Sequence, residues 1–437
     1  MSAQSAFIKQ NLYIIWQQLK KGILQIFTAN VVNKFVLMLS NMLVTRMLAQ
    51  YEYGILSYAG NIYSYAALIM GFGLAAGALQ FGIENRGSVK ENSFYRYCAS
   101  AGMMANLLII AVFATIIFWV DLPIRQTKRY IQFYLPLLLI EYFIQLILII
   151  LRSQNRFNSY AKLITMHTIF VAGGTCIGAI WGIGGVIAAK YIASLGVLFI
   201  MLWQIRENIL AIFRAEQLES SEKKQLWHYS IFNGVSSTLN TLLFLIDITM
   251  VGILSASAQM VAIYKVATLI PTAIKFIPQS VVICIVPDVV AHNQNVTWLK
   301  KALSKVFTNM FIFNLVLSLA LIVCAPWIIQ LVAGKQYLAA VQPFRILVAG
   351  YCVAGTFRSL SVNFLAALKV VKFNAACAFI SCAANIIFNL YMIPRFGILG
   401  AACATFGAEV VASLLTFGGL VYALKILNEQ NKLRMKE

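Results

Sequence analysis

Apolar residues run through this chain in long stretches, and polar residues gather in the short segments between them. A helix needs about 20 mostly apolar residues to cross a bilayer. Twelve runs meet that length, at roughly 23–45, 54–82, 97–119, 130–151, 163–182, 184–203, 230–254, 261–286, 306–332, 343–367, 373–393 and 398–424. The pattern predicts an all-α membrane protein with twelve transmembrane helices. The second and eighth runs are long enough to tilt or bend.

The longest polar connector, 204–229, holds Glu207, Glu216, Glu219, Glu222, Lys223 and Lys224 and divides six runs from six. The expected organisation is an interfacial segment 1–21, a six-helix bundle 22–203, a cytoplasmic linker 204–229, a second six-helix bundle 230–424 and a cytoplasmic tail 425–437. An even number of spans makes both halves enter the membrane in the same direction, which predicts a parallel pseudo-repeat about an axis along the membrane normal. Two short matches fit it. Arg156-Phe157-Asn158 precedes run five as Lys372-Phe373-Asn374 precedes run eleven, and Gly182-x-x-Gly185 parallels Gly397-x-x-Gly400 in the turns that follow. Glycine suits such turns because it accepts positive φ and lets helix ends approach. In segment 1–21, Ile8, Leu12, Ile15, Trp16 and Leu19 recur at helical spacing. An amphipathic helix on the interface and a frayed terminus both fit. That segment lacks the long apolar core and small-residue site of a cleavable signal peptide.

Composition agrees with lipid as the solvent. The chain is 61% hydrophobic and 11% charged, with mean hydropathy +0.82, against about 45–50% apolar and about 25% charged in soluble domains. The net charge of +20 sits mostly in alternate connectors: Lys20, Lys21, Arg86, Lys90, Arg96, Arg152, Arg156, Lys223, Lys224, Lys300, Lys301, Lys305, Lys369, Lys425 and Lys432 fall on one side. That side is cytoplasmic by the positive-inside rule, which places both termini there. The connector 120–129, with Arg125, Lys128 and Arg129, departs from the pattern. No polar module is long enough to present a basic face to nucleic acid. The eight cysteines form no C-x-x-C, and His167, His228 and His292 are too far apart for a helix-borne metal motif. No metal site and no cofactor are expected.

Six basic residues remain inside or at the edge of the runs: Lys34, Lys190, Lys265, Lys275, Arg345 and Arg358. The acids so placed are Glu141, Asp247 and Glu409. A charge at the bilayer centre costs about 2.5–3.5 kcal/mol on insertion scales, so such residues face a bundle interior or a wet cavity. Lys190 and Arg345, near run ends, are expected to snorkel. Lys34, Lys275 and Arg358 lie mid-run and are expected to line a cavity. Lys265 and Lys275 are ten residues apart and fall within about 80° on a continuous helix, a flank suited to an extended anionic ligand. The acids either neutralise these cations as structural pairs or exchange ions and protons. Glu141 and Glu409 are the better relay candidates, whereas Asp247 caps or pairs as readily. Pro271 and Pro278, with Pro287 beyond them, predict a bent eighth helix. It serves either as a hinge or as a static kink.

The stretch Asn385-Ile-Ile-Phe-Asn389, followed by Ile393-Pro394 and Gly397-Ile-Leu-Gly400-Ala401-Ala402-Cys-Ala404-Thr405, resembles the run eleven–twelve signature of polysaccharide flippases. Asp247-Ile-Thr-Met-Val-Gly252, Tyr53-Gly54-Ile-Leu-Ser57-Tyr-Ala59, and Gly334, Tyr337 and Arg345-Ile-Leu347 resemble further family positions. At Lys265 the sequence departs from the pattern, with lysine where a small hydroxyl residue is usual. The resemblance to this Wzx-type family, within the multidrug/oligosaccharidyl-lipid/polysaccharide exporter superfamily, implies two six-helix bundles forming a V around a central cavity. It implies flipping of an undecaprenyl-diphosphate-linked oligosaccharide across the inner membrane, coupled to a proton or sodium ion gradient. A polysaccharide polymerase and chain-length proteins would be its partners, and O-antigen or capsule the product.

The resulting expectation is alternating access, with Lys34, Lys275, Arg358 and Lys265 attracting the anionic cargo, Glu141, Glu409 and Asp247 coupling it to the ion gradient, and Pro271 and Pro278 as the hinge. A multidrug exporter should favour acids over bases in its cavity. A peptidoglycan-precursor flippase resembles a chain with two extra helices. A membrane glycan polymerase or ligase needs catalytic residues in a large external loop, and the external connectors are short with no nucleophile–base constellation. A purely structural assembly protein would not need the intramembrane charges.

Overall fold

The computed structural model describes Gln25 and residues 28–291, 295–368 and 370–434; the segment 1–21 lies outside the described residues. Among them the chain is helical throughout, with no strand. The helices are α1 (28–47), α2 (Gln50–Leu68), α3 (Leu74–Glu84), α4 (Val89–Trp119), α5 (Thr127–Tyr134), α6 (Leu137–Ser153), α7 (Phe157–Gly178), α8 (Gly182–Gln204) and α9 (Arg206–Arg214). They continue as α10 (Ser220–Ser255), α11 (Ala258–Ala273), α12 (Phe276–Ala291), α13 (Val296–Val323), α14 (Ala325–Val332), α15 (Val341–Val353), α16 (Ser359–Ala367) and α17 (Val371–Arg434). Eight helical stretches among the described residues are long and apolar enough to cross a membrane, and Leu245–Ser255 is a shorter apolar one. Two of the eight, Phe157–Gln204 and Phe373–Glu429, each hold two of the predicted runs joined at a turn. Large apolar side chains such as Trp119, Phe199, Phe232, Trp327 and Phe379 are widely exposed, which calls for lipid rather than water around them.

The chain divides into two compact units. Unit one takes the residues up to Val44, Ala66–Trp119 and Gln132–Val235; unit two takes Thr45–Tyr65, Val120–Ile131 and Ser236 onward.

In unit one, the long second run breaks between α2 and α3. Gly71, Phe72 and Gly73 adopt φ of 57°, 47° and 80°, left-handed values that glycine tolerates best. The break leaves backbone donors without helical acceptors, and the buried Asn106 Oδ1 takes the Gly71 N–H at 2.9 Å. Phe94, Tyr95, Tyr142, Leu146 and Leu226 form the core beneath it. The 204–229 connector is itself largely helical, and Ile212 of α9 joins this core.

In unit two, run eight breaks between α11 and α12. Pro278 has no N–H to give the Ile274 carbonyl. That carbonyl accepts instead from Ile277 N at 3.0 Å, and Tyr351 Oη lies 3.3 Å from it. The tenth run is interrupted by a π-helical segment, Ala354–Arg358, where the turn widens by one residue. Asn314 bridges these irregularities: its amide donates to Thr356 Oγ1 at 2.9 Å and its Oδ1 lies 3.1 Å from Tyr351 Oη. The core here is built by Leu299, Leu303, Phe307, Leu360, Phe364 and Leu420.

The glycine pair repeats in both units. Gly182 has φ 73° and Gly397 φ 57°. Three residues on, a Cβ on Gly185 would overlap the Gly178 carbonyl, and one on Gly400 would overlap the Met392 carbonyl. Each hairpin thus uses its first glycine to turn and its second to bring helices into backbone contact.

Candidate functional site

Unit two gathers its polar side chains at two neighbouring stations. Asp247, on α10, is buried. Its Oδ1 accepts from Asn385 Nδ2 at 2.9 Å and Asn389 Nδ2 at 3.0 Å, and its Oδ2 from Thr405 Oγ1 at 2.8 Å. The four-residue spacing of Asn385 and Asn389 puts both amides on one face of α17, and the fold back at Gly397 brings Thr405 to the same carboxylate. Tyr264 Oη lies 2.9 Å from Thr405 Oγ1. Asn389 Nδ2 also donates to Asn385 Oδ1 at 3.0 Å, while Asn389 Oδ1 is buried with no hydrogen-bond partner among the described residues. Nearby, Asn61 of α2 donates to the Leu245 carbonyl at 3.0 Å and to Thr249 Oγ1 at 2.7 Å. These bonds fix the α10 turn that carries Asp247.

The second station centres on Glu409 of α17. Arg358 Nη1 lies 2.7 Å from Glu409 Oε2, and Lys275 Nζ 3.5 Å from Glu409 Oε1. Two cations share one carboxylate. A carboxylate so deep in apolar surroundings requires such partners. Both cations stand at backbone irregularities: Arg358 closes the π segment, and Lys275 sits in the break after α11. The 80° relation between Lys265 and Lys275 presumes an unbroken helix, so it does not hold across this break. Lys265 lies half-buried on α11, with its carbonyl accepting from Thr268 Oγ1 at 2.7 Å.

In unit one, Glu141 of α6 accepts from Ser194 Oγ of α8 at 2.9 Å and lies 3.5 Å from His167 Nε2 of α7. Lys190 points to Tyr134, its Nζ 3.4 Å from the hydroxyl and 5.0 Å from the ring centre, a cation–π contact. Lys34 is exposed on α1. Its neighbour Asn33 is buried, with neither amide atom partnered among the described residues.

Arg345, near a run end, donates from its Nε to the Ile322 carbonyl at 3.1 Å. That carbonyl is in the last turn of α13, where cations complement the helix end. His167 lies within an apolar run, and that position is the sequence signal for a buried partner to Glu141. The amides of Asn385 and Asn389 were visible as motif residues, but nothing local ties them to Asp247, 138 and 142 positions away. Among the described residues, no three His, Cys, Asp or Glu side chains converge as a metal site. The oxygens of Asp247, Asn385, Asn389 and Thr405 are the kind that hold a hard cation.

The sequence pattern of the family described as "Polysaccharide biosynthesis protein" matches residues 19–291. An uncharacterized membrane protein of Methanocaldococcus jannaschii is 32% identical over 110 residues, which is 24% of this chain and 22% of that protein. The aligned part is thus under a quarter of the relative's length. Among solved structures, the lipid II flippase MurJ in an inward closed conformation matches with TM-score 0.73 and 15% identity, covering 93% of this chain and 91% of that one. An inward-facing multidrug resistance MATE family transporter of the MOP superfamily matches with TM-score 0.71 and 11% identity, covering 91% and 96%. The chain therefore has the fold of these transporters and is a multi-pass membrane protein.

Proposed function

We propose that this chain, which belongs to the polysaccharide biosynthesis protein family, is a flippase. It carries a lipid-linked oligosaccharide, bearing an undecaprenyl diphosphate, from the cytoplasmic to the outer leaflet of the inner membrane. The observation that carries the reading is the Lys275–Glu409–Arg358 cluster, in which two cations face one acid. When all three are ionised the cluster keeps one net positive charge, which suits a diphosphate or an acidic sugar and repels a cationic drug. Lys34 and Lys265 add further cargo contacts. The cargo's anion competes with Glu409 for Arg358 and Lys275, the two cations that stand at the π segment and at the break after α11. Transport is by alternating access, with those prolines as the hinge.

Coupling belongs to Asp247, with Glu409 and Glu141 as secondary carriers. A sodium ion would sit among the Asp247, Asn385, Asn389 and Thr405 oxygens, once the two amides turn their oxygens inward; a proton would sit on Asp247 itself. The unpartnered Asn389 Oδ1 favours the cation. The product feeds a polymerase and its chain-length partners in O-antigen or capsule assembly, and both termini are cytoplasmic.

The test is a Lys275→Ala, Arg358→Ala double variant produced in cells deleted for the native gene. Loss of surface polymer with accumulation of the lipid-linked intermediate supports the reading. Full polymer display by a correctly inserted double variant removes it. Proteoliposomes that move a labelled lipid-linked sugar without covalent change separate this function from that of a polymerase or ligase.

A further inference from the structure

A groove of about 610 Å³ runs along unit two between α13, the π segment and the carboxyl-terminal part of α17. Its volume lies in the range of about 300–1,000 Å³ typical of ligand sites. The lining is sorted by chemistry along its length. Lys300, in the second turn of α13, and Lys425, towards the end of α17, stand among its lining residues, and both are exposed. From Lys300, the residues Ser304, Phe307 and Phe311 follow at helical spacing along one stripe of α13, as an amphipathic face requires. Phe357 and Phe417 complete an aromatic floor. The Phe307 and Phe417 ring centres are 5.1 Å apart, Phe357 and Phe417 5.3 Å, and Phe311 and Phe357 5.9 Å. The rings hold one another in edge-on and tilted contacts, so the floor is built before anything binds.

We infer that this groove binds one anionic glycerophospholipid, its phosphate between Lys300 and Lys425 and one acyl chain over the phenylalanine floor. Three observations select that occupant. The two lysines of the lining supply ammonium groups to a phosphodiester and offer nothing to a zwitterion's choline. The basic end belongs to the Lys300, Lys301 and Lys305 cluster in the first turns of α13, on the positive side of the chain, where anionic headgroups concentrate. The length matches as well. Lys300 to Phe311 spans eleven residues, or about 16 Å of helix, which is half of a hydrocarbon core about 30 Å thick. That accommodates one leaflet's acyl chain, whereas the polyprenyl tail of the proposed cargo is much longer than the groove. Because Phe357 precedes Arg358 in the π segment, the lipid packs on the same turn that holds the Glu409 partner.

The experiment is native mass spectrometry of the purified full chain, titrated with phosphatidylglycerol, phosphatidylcholine and a polyprenyl phosphate, each alone and then in competition. The wild type should retain one phosphatidylglycerol roughly thirtyfold more tightly than phosphatidylcholine, as two lysines near a headgroup would give. A Lys300→Ala, Lys425→Ala variant should lose that preference. A Ser304→Trp variant, which keeps both lysines and fills the groove, should lose the bound lipid itself. Equal retention of the two phospholipids by the wild type overturns the proposal, and so does an undiminished preference in the double lysine variant. Displacement of phosphatidylglycerol by equimolar polyprenyl phosphate would assign the groove to the cargo instead and equally overturn it.

Discussion

The hairpin α7–α8 in unit one and the two halves of α17 in unit two are built on one plan and loaded differently. Both turn at a glycine with positive φ, at Gly182 and Gly397, and both pack a second glycine, Gly185 or Gly400, against a carbonyl of the preceding helix. The first hairpin supplies His167 and Ser194 to a single acid, Glu141. The second supplies Asn385, Asn389, Thr405 and Glu409, and so surrounds one acid with donors and sets another between two cations. The scaffold is set by small residues that permit close approach, and the chemistry by the polar side chains hung on it. A repeated scaffold therefore does not imply a repeated site.

The comparison breaks most sharply at Glu409. In Glu409→Gln, Arg358 and Lys275 face each other without their shared anion, and removal of one partner from a buried ion pair costs about 3–5 kcal/mol. The purified variant should unfold at a markedly lower temperature. Glu141→Gln keeps the Ser194 bond and should shift the midpoint far less. Equal shifts would mean that the two acids do the same job.

The shared scaffold is tested by Gly185→Ala and Gly400→Ala. Each added methyl meets a backbone carbonyl, and such overpacking costs about 1–3 kcal/mol. Similar losses from the two are expected in thermal unfolding; a large disparity would show that only one hairpin depends on its glycine.

Asp247→Asn separates chemistry from scaffold. The new amide can face Thr405, whose hydroxyl then accepts it and donates to the Ala401 carbonyl, 2.9 Å away. Stability should change by only about 1 kcal/mol, while transport loses its dependence on the coupling ion. Unchanged ion dependence in proteoliposomes would take coupling away from Asp247.

Apolar runs made the helices legible because a spanning segment must be apolar along its whole length. Interruptions were less so. Pro271 and Pro278 announced the bend after α11, but the π segment at Ala354–Arg358 leaves no residue signature, since it depends on packing by Tyr351, Asn314 and Thr356. Charges in the runs marked Lys275, Arg358, Glu409, Glu141 and Asp247 as residues that cost energy to bury. Their pairing was not legible. Arg358 meets Glu409 across 51 positions and Glu141 meets Ser194 across 53, distances over which local periodicity carries no information. Arg345 illustrates the limit: a cation near a run end can reach the interface or a helix terminus, and only the position of α13 decides.

The smallest effect lies outside the membrane-spanning segments, at the start of α4 and of α10 in unit one. Lys90 Nζ lies 2.6 Å from Glu222 Oε1, and this bond, followed by one from the Glu219 backbone N–H, holds the Glu222 carboxyl below the usual carboxylate range. A depressed carboxyl pKa stabilises the folded state above the unfolded value of about 4.3, and that contribution is lost as pH falls through the lower, folded value. The Lys90 side chain is exposed and that of Glu222 partly so, so salt should weaken the pair. Glu222→Gln should therefore leave the unfolding midpoint nearly unchanged at pH 7 in high salt, lower it slightly in low salt, and converge with the wild type at acid pH. The buried Glu409 pairs exclude salt and should show no such convergence with ionic strength. A salt-independent loss in Glu222→Gln would mean that this linker contact is shielded like the buried ones, and that exposure is not what distinguishes the two kinds of pair.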